Sequence, residues 1–226
     1  FGPAWVEAGR AKLLLGDAAG ALAALREGYR LLPNEPEAAS ALGVALLATG
    51  DAAGAEKYLA RARDLDPGSS ARHGNLGTLY FLLGRVPDAI GEYDASARIA
   101  PNDAKAHADL GTALLASGDF RRAELELGKA IAQEPKRASF KNNLGYAFQS
   151  QGKLAAARAE YDAALAIDPK LASAWINLAT LLAKSPATRG DARKALLKAQ
   201  ALDATDPRVK ANLEELDALE KGHATP

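Results

Sequence analysis

The chain has 226 residues, with 28 Lys+Arg against 28 Asp+Glu and a formal net charge of zero at pH 7. That balance excludes an affinity built on phosphate neutralisation, which needs a basic face or stripe, and 48% hydrophobic residues exclude a disordered chain. Cys is absent, which removes disulfides, thiolate metal sites and cysteine nucleophiles together.

With 53 Ala and only 6% aromatics, any core is built largely from small residues. The longest apolar run, around Ala41–Ala48, is far short of the roughly 18 residues a spanning helix needs, so no direct membrane insertion is expected. Phe1–Arg10 lacks the basic-then-apolar pattern of a signal peptide. Met is absent too, so Phe1 is not a translation start, and the chain reads as a processed or excised piece of something longer.

The order of elements follows from an internal repeat. Prolines at 33, 67, 101, 135 and 169 are 34 residues apart, and glycines at 16, 50, 84, 118 and 152 keep the same step. So do Gly9, Gly43, Gly77, Gly111 and Gly145. Units then begin near Gly2, Pro36, Ser70, Ala104, Ala138 and Ala172, spanning 2–204, and each reads as two helices. The glycine at unit position 15 stops the first helix, with a polar residue to start the second in Gly16-Asp17, Gly50-Asp51 and Gly118-Asp119. The proline at position 32 ends the second helix, because it cannot continue the hydrogen-bond ladder. The glycine at position 8 lets the two helices approach closely.

In chain order, the first unit carries Trp5 at its fourth position. The second has Leu42 and Leu46, then Ala55, Leu59 and Ala62, at helical spacing. The third repeats this with Leu76, Tyr80, Ala89, Tyr93 and Ser96, and the fifth with Leu144, Phe148, Ala157, Tyr161 and Ala164. In the sixth, Trp175 returns at position 4, Ala179 replaces the glycine, and Ser185-Pro186 interrupts the first helix. One extra residue in the Lys184–Gly190 connection brings Ala192, Leu196, Ala199 and Leu202 into line. A lone amphipathic helix at Pro207–Lys221, with Val209, Leu213, Leu216 and Leu219 on one side, caps the last unit. A frayed tail is expected at 222–226.

This pattern resembles the tetratricopeptide repeat family, over nearly the whole chain from Gly2 to Ala204 as six repeats. The resemblance implies an all-α fold, a right-handed superhelical solenoid of antiparallel helix pairs. It further implies that positions 2, 5, 6, 9, 12 and 13 of the first helices line a concave groove that holds a protein or peptide segment. Ala39, His73, His107 and Lys141 depart from the family's aromatic fourth position in the middle units.

Those groove positions hold Asn75, Thr78 and Phe81 in the third unit, and Lys105, Asp109 and Thr112 in the fourth. The fifth supplies Asn142, Asn143, Tyr146 and Gln149, the sixth Asn177, Thr180 and Lys184, and the cap Arg208, Asn212 and Glu215. Charges cancel along the groove, with Arg10, Lys105, Lys184 and Arg208 against Glu7, Glu37, Asp109 and Glu215. Amides remain, and an amide both donates and accepts, so it can pair with a peptide backbone whatever its sequence. Asn75, Asn143, Asn177 and Asn212 form a broken ladder at position 6, like the asparagine ladders of tetratricopeptide superhelices attached to glycosyltransferases. The alternative reading is that these asparagines are simply exposed and bond locally.

The family's basic clamp for C-terminal carboxylates is not matched. Centred on Asn75 it meets Ser40, Val44, Lys105 and Asp109, and centred on Asn143 it meets Ala108, Thr112, Ser173 and Asn177. His73 and His107 share position 4 on the packed side, where a histidine fills space or finds a hydrogen bond; without a third ligand they make no metal site. His223 falls in the tail. With no phosphate loop and no nucleophile–base pair, the expectation is a non-catalytic scaffold without a cofactor, whose partner is protein rather than nucleic acid. Two other readings stand beside it. One is a fragment of a bacterial envelope assembly lipoprotein of the kind that helps secretins or pili assemble; the other is the docking arm of a larger enzyme such as a glycosyltransferase. Location is open between bacterial cytoplasm and periplasm.

Overall fold

The computed structural model describes residues 1–221; the tail at 222–226, with His223, lies outside them. Among the described residues it is all helix. The elements are α1 (Gly2–Leu14), α2 (Ala18–Leu31), α3 (Pro36–Ala48), α4 (Ala52–Leu65), α5 (Ser70–Leu82), α6 (Val86–Ile99) and α7 (Ala104–Ser117). They continue with α8 (Phe120–Gln133), α9 (Ala138–Ser150), α10 (Leu154–Ile167), α11 (Ala172–Leu182), a 3-10 turn at Pro186–Thr188, α12 (Arg189–Leu202) and α13 (Pro207–Lys221). The chain forms two compact units, Phe1–Ser117 and Gly118–Pro226.

The hairpin turns follow from two local rules. Gly16, Gly50, Gly84, Gly118 and Gly152 all adopt positive φ, between 72° and 85°, a conformation costly for any residue with a Cβ. The next residue caps the second helix where it is Asp: Asp17 and Asp51 accept from the Gly20 and Gly54 amides at 2.8 Å, and Asp119 from Arg122 at 3.2 Å. The sixth connection has no such glycine. There α11 stops at Leu182, and the 3-10 turn carries the chain into α12, with Thr188 Oγ1 donating to the carbonyls of Leu182 and Ser185.

Close approach explains the glycine at position 8. In the first unit, a Cβ added to Gly9 would fall 2.4 Å from Leu25, and one added to Gly43 or Gly77 would fall 2.7 Å from Leu59 or 2.8 Å from Tyr93. In the second unit a Cβ on Gly145 would fall 2.6 Å from the Tyr161 ring. Each bare Cα is therefore the seat of a large side chain from the second helix of its hairpin.

The first unit's core joins Val6, Leu25, Leu42, Leu46, Leu59, Leu76 and Leu79. The second unit's core joins Tyr161, Leu165, Leu178, Leu182, Leu196 and Leu216 around a set of buried alanines. Leu216 and Val209 of α13 are buried, the first in this core and the second beside Ile176 and Ala199.

Candidate functional site

The fourth position has a geometric role that composition alone does not reveal. Trp175 Nε1 donates to the Pro169 carbonyl at 2.9 Å. His73 Nε2 lies 3.1 Å from the Pro67 carbonyl and His107 Nε2 3.0 Å from that of Pro101. A carbonyl only accepts, so each ring presents an N–H there, and histidine substitutes for the indole as a donor. His73 Nδ1 meets Glu92 Oε2 at 2.6 Å, and Glu92 Oε1 accepts from Arg63 at 2.7 Å. Both histidines thus belong to inter-helix packing, and among the described residues no group of three His, Asp or Glu could hold a metal ion.

In the second unit the first helices α9 and α11 and the cap α13 surround a cavity of about 500 Å³. Asn142, Asn143, Tyr146 and Gln149 line it from α9, and Asn177 and Thr180 from α11. Arg208 and Asn212 close it from α13. The structure thus brings together all the expected groove positions of α9, α11 and α13 except Glu215, and leaves out Lys184, which lies past the end of α11. These two are exposed at a neighbouring hollow of about 140 Å³, which Thr180 and Asn212 also border. Ser173 and Ile176 also line the main cavity. They occupy positions 2 and 5 of the sixth unit, which the helix periodicity already places on this face.

The amides are ordered by one another rather than hanging free. Asn177 Nδ2 donates to Asn142 Oδ1 at 2.9 Å, and Asn142 Nδ2 lies 3.4 Å from Asn143 Oδ1. Asn212 Nδ2 donates to Thr180 Oγ1 at 3.2 Å. The Asn177 step runs from position 6 of one unit to position 5 of the preceding unit, whereas Asn212 of α13 reaches position 9 of the sixth unit. Asn142, expected as a groove contact, is only 6% exposed, because its carbonyl end is turned into this step. It serves the site as a support for Asn177.

A second layer holds the first. Tyr161, fully buried in α10, donates its hydroxyl to Gln149 Oε1 at 3.0 Å, which leaves the Gln149 NH2 turned away from that bond. Burial pushes the Tyr161 hydroxyl up, with the nearby Tyr146 adding to the effect, so the phenol stays protonated and remains a donor. Tyr146 is 41% exposed and stands edge-on to Phe120, ring centroids 6.3 Å apart. Arg208 is clamped on Asp206 through Nε at 3.0 Å and Nη2 at 2.6 Å. That pairing holds the Asp206 carboxyl below its ordinary range and raises the guanidinium.

The first unit is built differently. Asn75, Lys105 and Asp109 border a hollow of about 160 Å³, with Lys105 and Asp109 paired to each other. Asn75 Nδ2 donates to Ser40 Oγ at 3.0 Å, the same position 6-to-5 step. Thr78 Oγ1 donates to the Gly74 carbonyl at 2.9 Å and accepts from the Tyr93 hydroxyl at 3.0 Å. Burial likewise pushes the Tyr93 hydroxyl up. Thr112 Oγ1 bonds the Ala108 carbonyl at 2.8 Å, and Thr180 the Ile176 carbonyl at 3.0 Å. Phe81 is half-buried and lies outside the Asn75 hollow. The expected charge balance is a local one: Arg10 and Arg72 both pair with Glu37, at 2.9 Å and 2.8 Å.

Two family models, both described as tetratricopeptide repeat, match the chain, one at residues 12–79 and 46–108 and the other at 108–172. No curated protein matches it by sequence. Among solved structures, PilW, a widely conserved type IV pilus biogenesis factor, aligns with a TM-score of 0.82 at 17% identity, over 94% of this chain and 98% of that one. PilF of Pseudomonas aeruginosa aligns at 0.80 and 18% identity, over 95% and 97%. A chain of the Cut9–Hcn1 hetero-tetramer of APC/C aligns at 0.81 and 17% identity over 94% of this chain; this chain spans only 42% of that one. At such identities the likeness is one of fold: an all-α helical-repeat solenoid.

Proposed function

The chain belongs to the tetratricopeptide repeat family, and from that premise we propose that it is a non-catalytic scaffold holding an extended peptide or partner segment against its first helices. The cavity between α9, α11 and α13 is the main seat. The observation that carries this reading is the lining itself: amides and hydroxyls from three elements converge on about 500 Å³. Their orientations are set by Asn177–Asn142, Asn212–Thr180 and Tyr161–Gln149 bonds. Side chains fixed in this way lose little rotamer freedom on binding, which favours affinity for a main chain.

Arg208 has its charge matched by Asp206, so affinity would come from uncharged hydrogen bonds and contact with Tyr146. Such binding changes little with salt, unlike binding to a basic surface. The test uses wild-type chain and an Asn143→Ala/Tyr146→Ala/Asn177→Ala variant as parallel baits, with thermal unfolding of both recorded. The reading expects a protein retained by the wild type at low and high salt, and lost from a variant that still folds. Equal retention by both baits would remove the groove from the account.

A second reading is favoured by one observation, the near end-to-end alignment with PilW and PilF. On it, the partner segment belongs to a pilus or secretin assembly machine in a bacterial envelope. Deleting the gene in its host would then abolish surface pili; pili of normal number and length would reject this reading while leaving the scaffold untouched.

A further inference from the structure

Position 24 of each unit is a buried residue of the second helix. It is Leu25, Leu59, Leu127 and Leu196 in four units and Tyr93 and Tyr161 in the other two, none more than 5% exposed. A leucine there only packs. A tyrosine lies on the bare Cα of Gly77 or Gly145 and carries its hydroxyl on to a groove-facing side chain of the first helix.

The two tyrosines end differently. Tyr93 donates to Thr78 Oγ1, which has already given its own proton to the Gly74 carbonyl, so that pair is closed. Tyr161 donates to Gln149 Oε1 at 3.0 Å, and Gln149 Nε2 has no partner among the described residues. The oxygen and nitrogen of a carboxamide diverge from one carbon. Holding the oxygen on Tyr161 therefore turns both N–H bonds away from it, and Gln149 lines the cavity as a donor. The reverse orientation would set the NH2 against the hydroxyl and leave the buried phenol's proton without an acceptor.

Charge decides which acceptors fit. Among the described lining residues Arg208 is the one charged group, and Asp206 holds it through Nε and Nη2. A carboxylate brought to Gln149 would lose hydration without gaining a counter-ion of its own, whereas a carbonyl oxygen loses less and gains the bond.

We propose that Tyr161 is a positioning residue that leaves only the donors of Gln149 facing the cavity, so that the site selects an uncharged oxygen acceptor of the partner segment. That acceptor is a main-chain carbonyl or the carboxamide of Asn or Gln, and Asp or Glu is rejected at that place. The inference rests on the reading of this cavity as the seat of a partner segment.

A random peptide library selected on the wild-type chain supplies the probe, and a synthetic copy of a selected peptide is titrated by fluorescence anisotropy. If every selected peptide binds the Asn143→Ala/Tyr146→Ala/Asn177→Ala variant as tightly as the wild type, the seat itself is wrong and this proposal goes with it. With a cavity-dependent peptide, Tyr161→Phe should raise the dissociation constant about fivefold, the worth of one hydrogen bond. It should add nothing in a Gln149→Ala background, and Tyr93→Phe, which alters the closed pair, should leave binding unchanged. Circular dichroism melts verify that each variant folds. The cavity-dependent sequences should be poor in Asp and Glu. A Tyr161→Phe effect of the same size with and without Gln149, or no effect, would overturn the positioning role while leaving the cavity as the seat. Cavity-dependent peptides enriched in Asp or Glu would overturn the selectivity.

Discussion

Asn177 donates its side-chain amide to Asn142 Oδ1 at 2.9 Å, across 35 residues of sequence and from one first helix to the next. Asn75 makes the same step to Ser40 at 3.0 Å, with a hydroxyl in place of the amide. The recurrence makes the step a property of the repeat. It also gives the asparagines a structural duty alongside any contact with a partner.

Replacing Asn142 with Ala removes a buried acceptor and strands the Asn177 N–H that used it. Because Asn177 lines the open cavity and water can take the place of the lost acceptor, the expected loss is about 0.5–1.5 kcal/mol, the net worth of one hydrogen bond. Asn142→Ser should recover part of it, because Ser40 shows a hydroxyl accepting at the equivalent place. Urea unfolding of the two variants compares them directly.

Glycines inside helices respond to a Cβ in opposite ways. A Cβ at Gly145 would sit 2.6 Å from the ring of Tyr161, which is fully buried and has no room to move. Gly145→Ala should therefore destabilise by about 1–3 kcal/mol, the range for overpacking. Gly91, inside α6, has nothing within 4 Å of an added Cβ, so Gly91→Ala should stabilise by about 0.4–1 kcal/mol through the unfolded chain. Thermal melts of both should move in opposite directions.

The sequence made the repeat legible because glycine at positive φ and proline at a helix end are local demands, readable from one residue and its neighbours. Helix starts at Gly2, Pro36, Ser70, Ala104, Ala138 and Ala172 follow from them. The site was legible as a set of positions and not as a network. Helix periodicity places Asn142 beside the groove, but its burial depends on a partner 35 residues away. Trp175 and the two histidines looked like different solutions at position 4, until the prolyl carbonyls in front of them showed a single one. Ser173 and Ile176, at positions 2 and 5, were legible from the helix periodicity alone, because the cavity asks of them only a place on that face.

Acid should weaken the fold gradually. The carboxyl of Glu124 is held below its ordinary value by Lys153 and then Gln151, that of Asp17 by the Gly20 amide and then Lys12, and that of Asp206 by Arg208. As pH falls through about 4 the unfolded chain takes up protons first, so the stabilisation present above that pH is lost as the folded-state carboxyls titrate below it. Melting temperature should be level from pH 7 to 5 and fall below pH 4. An unchanged melt at pH 3 would count against these pairings.

Alkali acts through the buried tyrosines. Burial raises the hydroxyls of Tyr93 and Tyr161, so stability is complete below the ordinary tyrosine value of 10.0 and declines as pH rises above it, where only the unfolded chain ionises readily. Tyrosinate absorbance should therefore rise in two stages, the later one coinciding with loss of helical circular dichroism. Tyr161→Phe should diminish that second stage.

The central claim is that the α9–α11–α13 cavity receives a partner's main chain. A photo-crosslinking residue placed at Tyr146, at the cavity's exposed edge, and another at Ala159, on the exposed side of α10, test it most directly in the cells that make this protein. The account expects one discrete adduct from position 146, lost when Asn143 and Asn177 are also changed to Ala, and none from position 159. An adduct that forms equally from both positions, or that survives loss of the two asparagines, would contradict it.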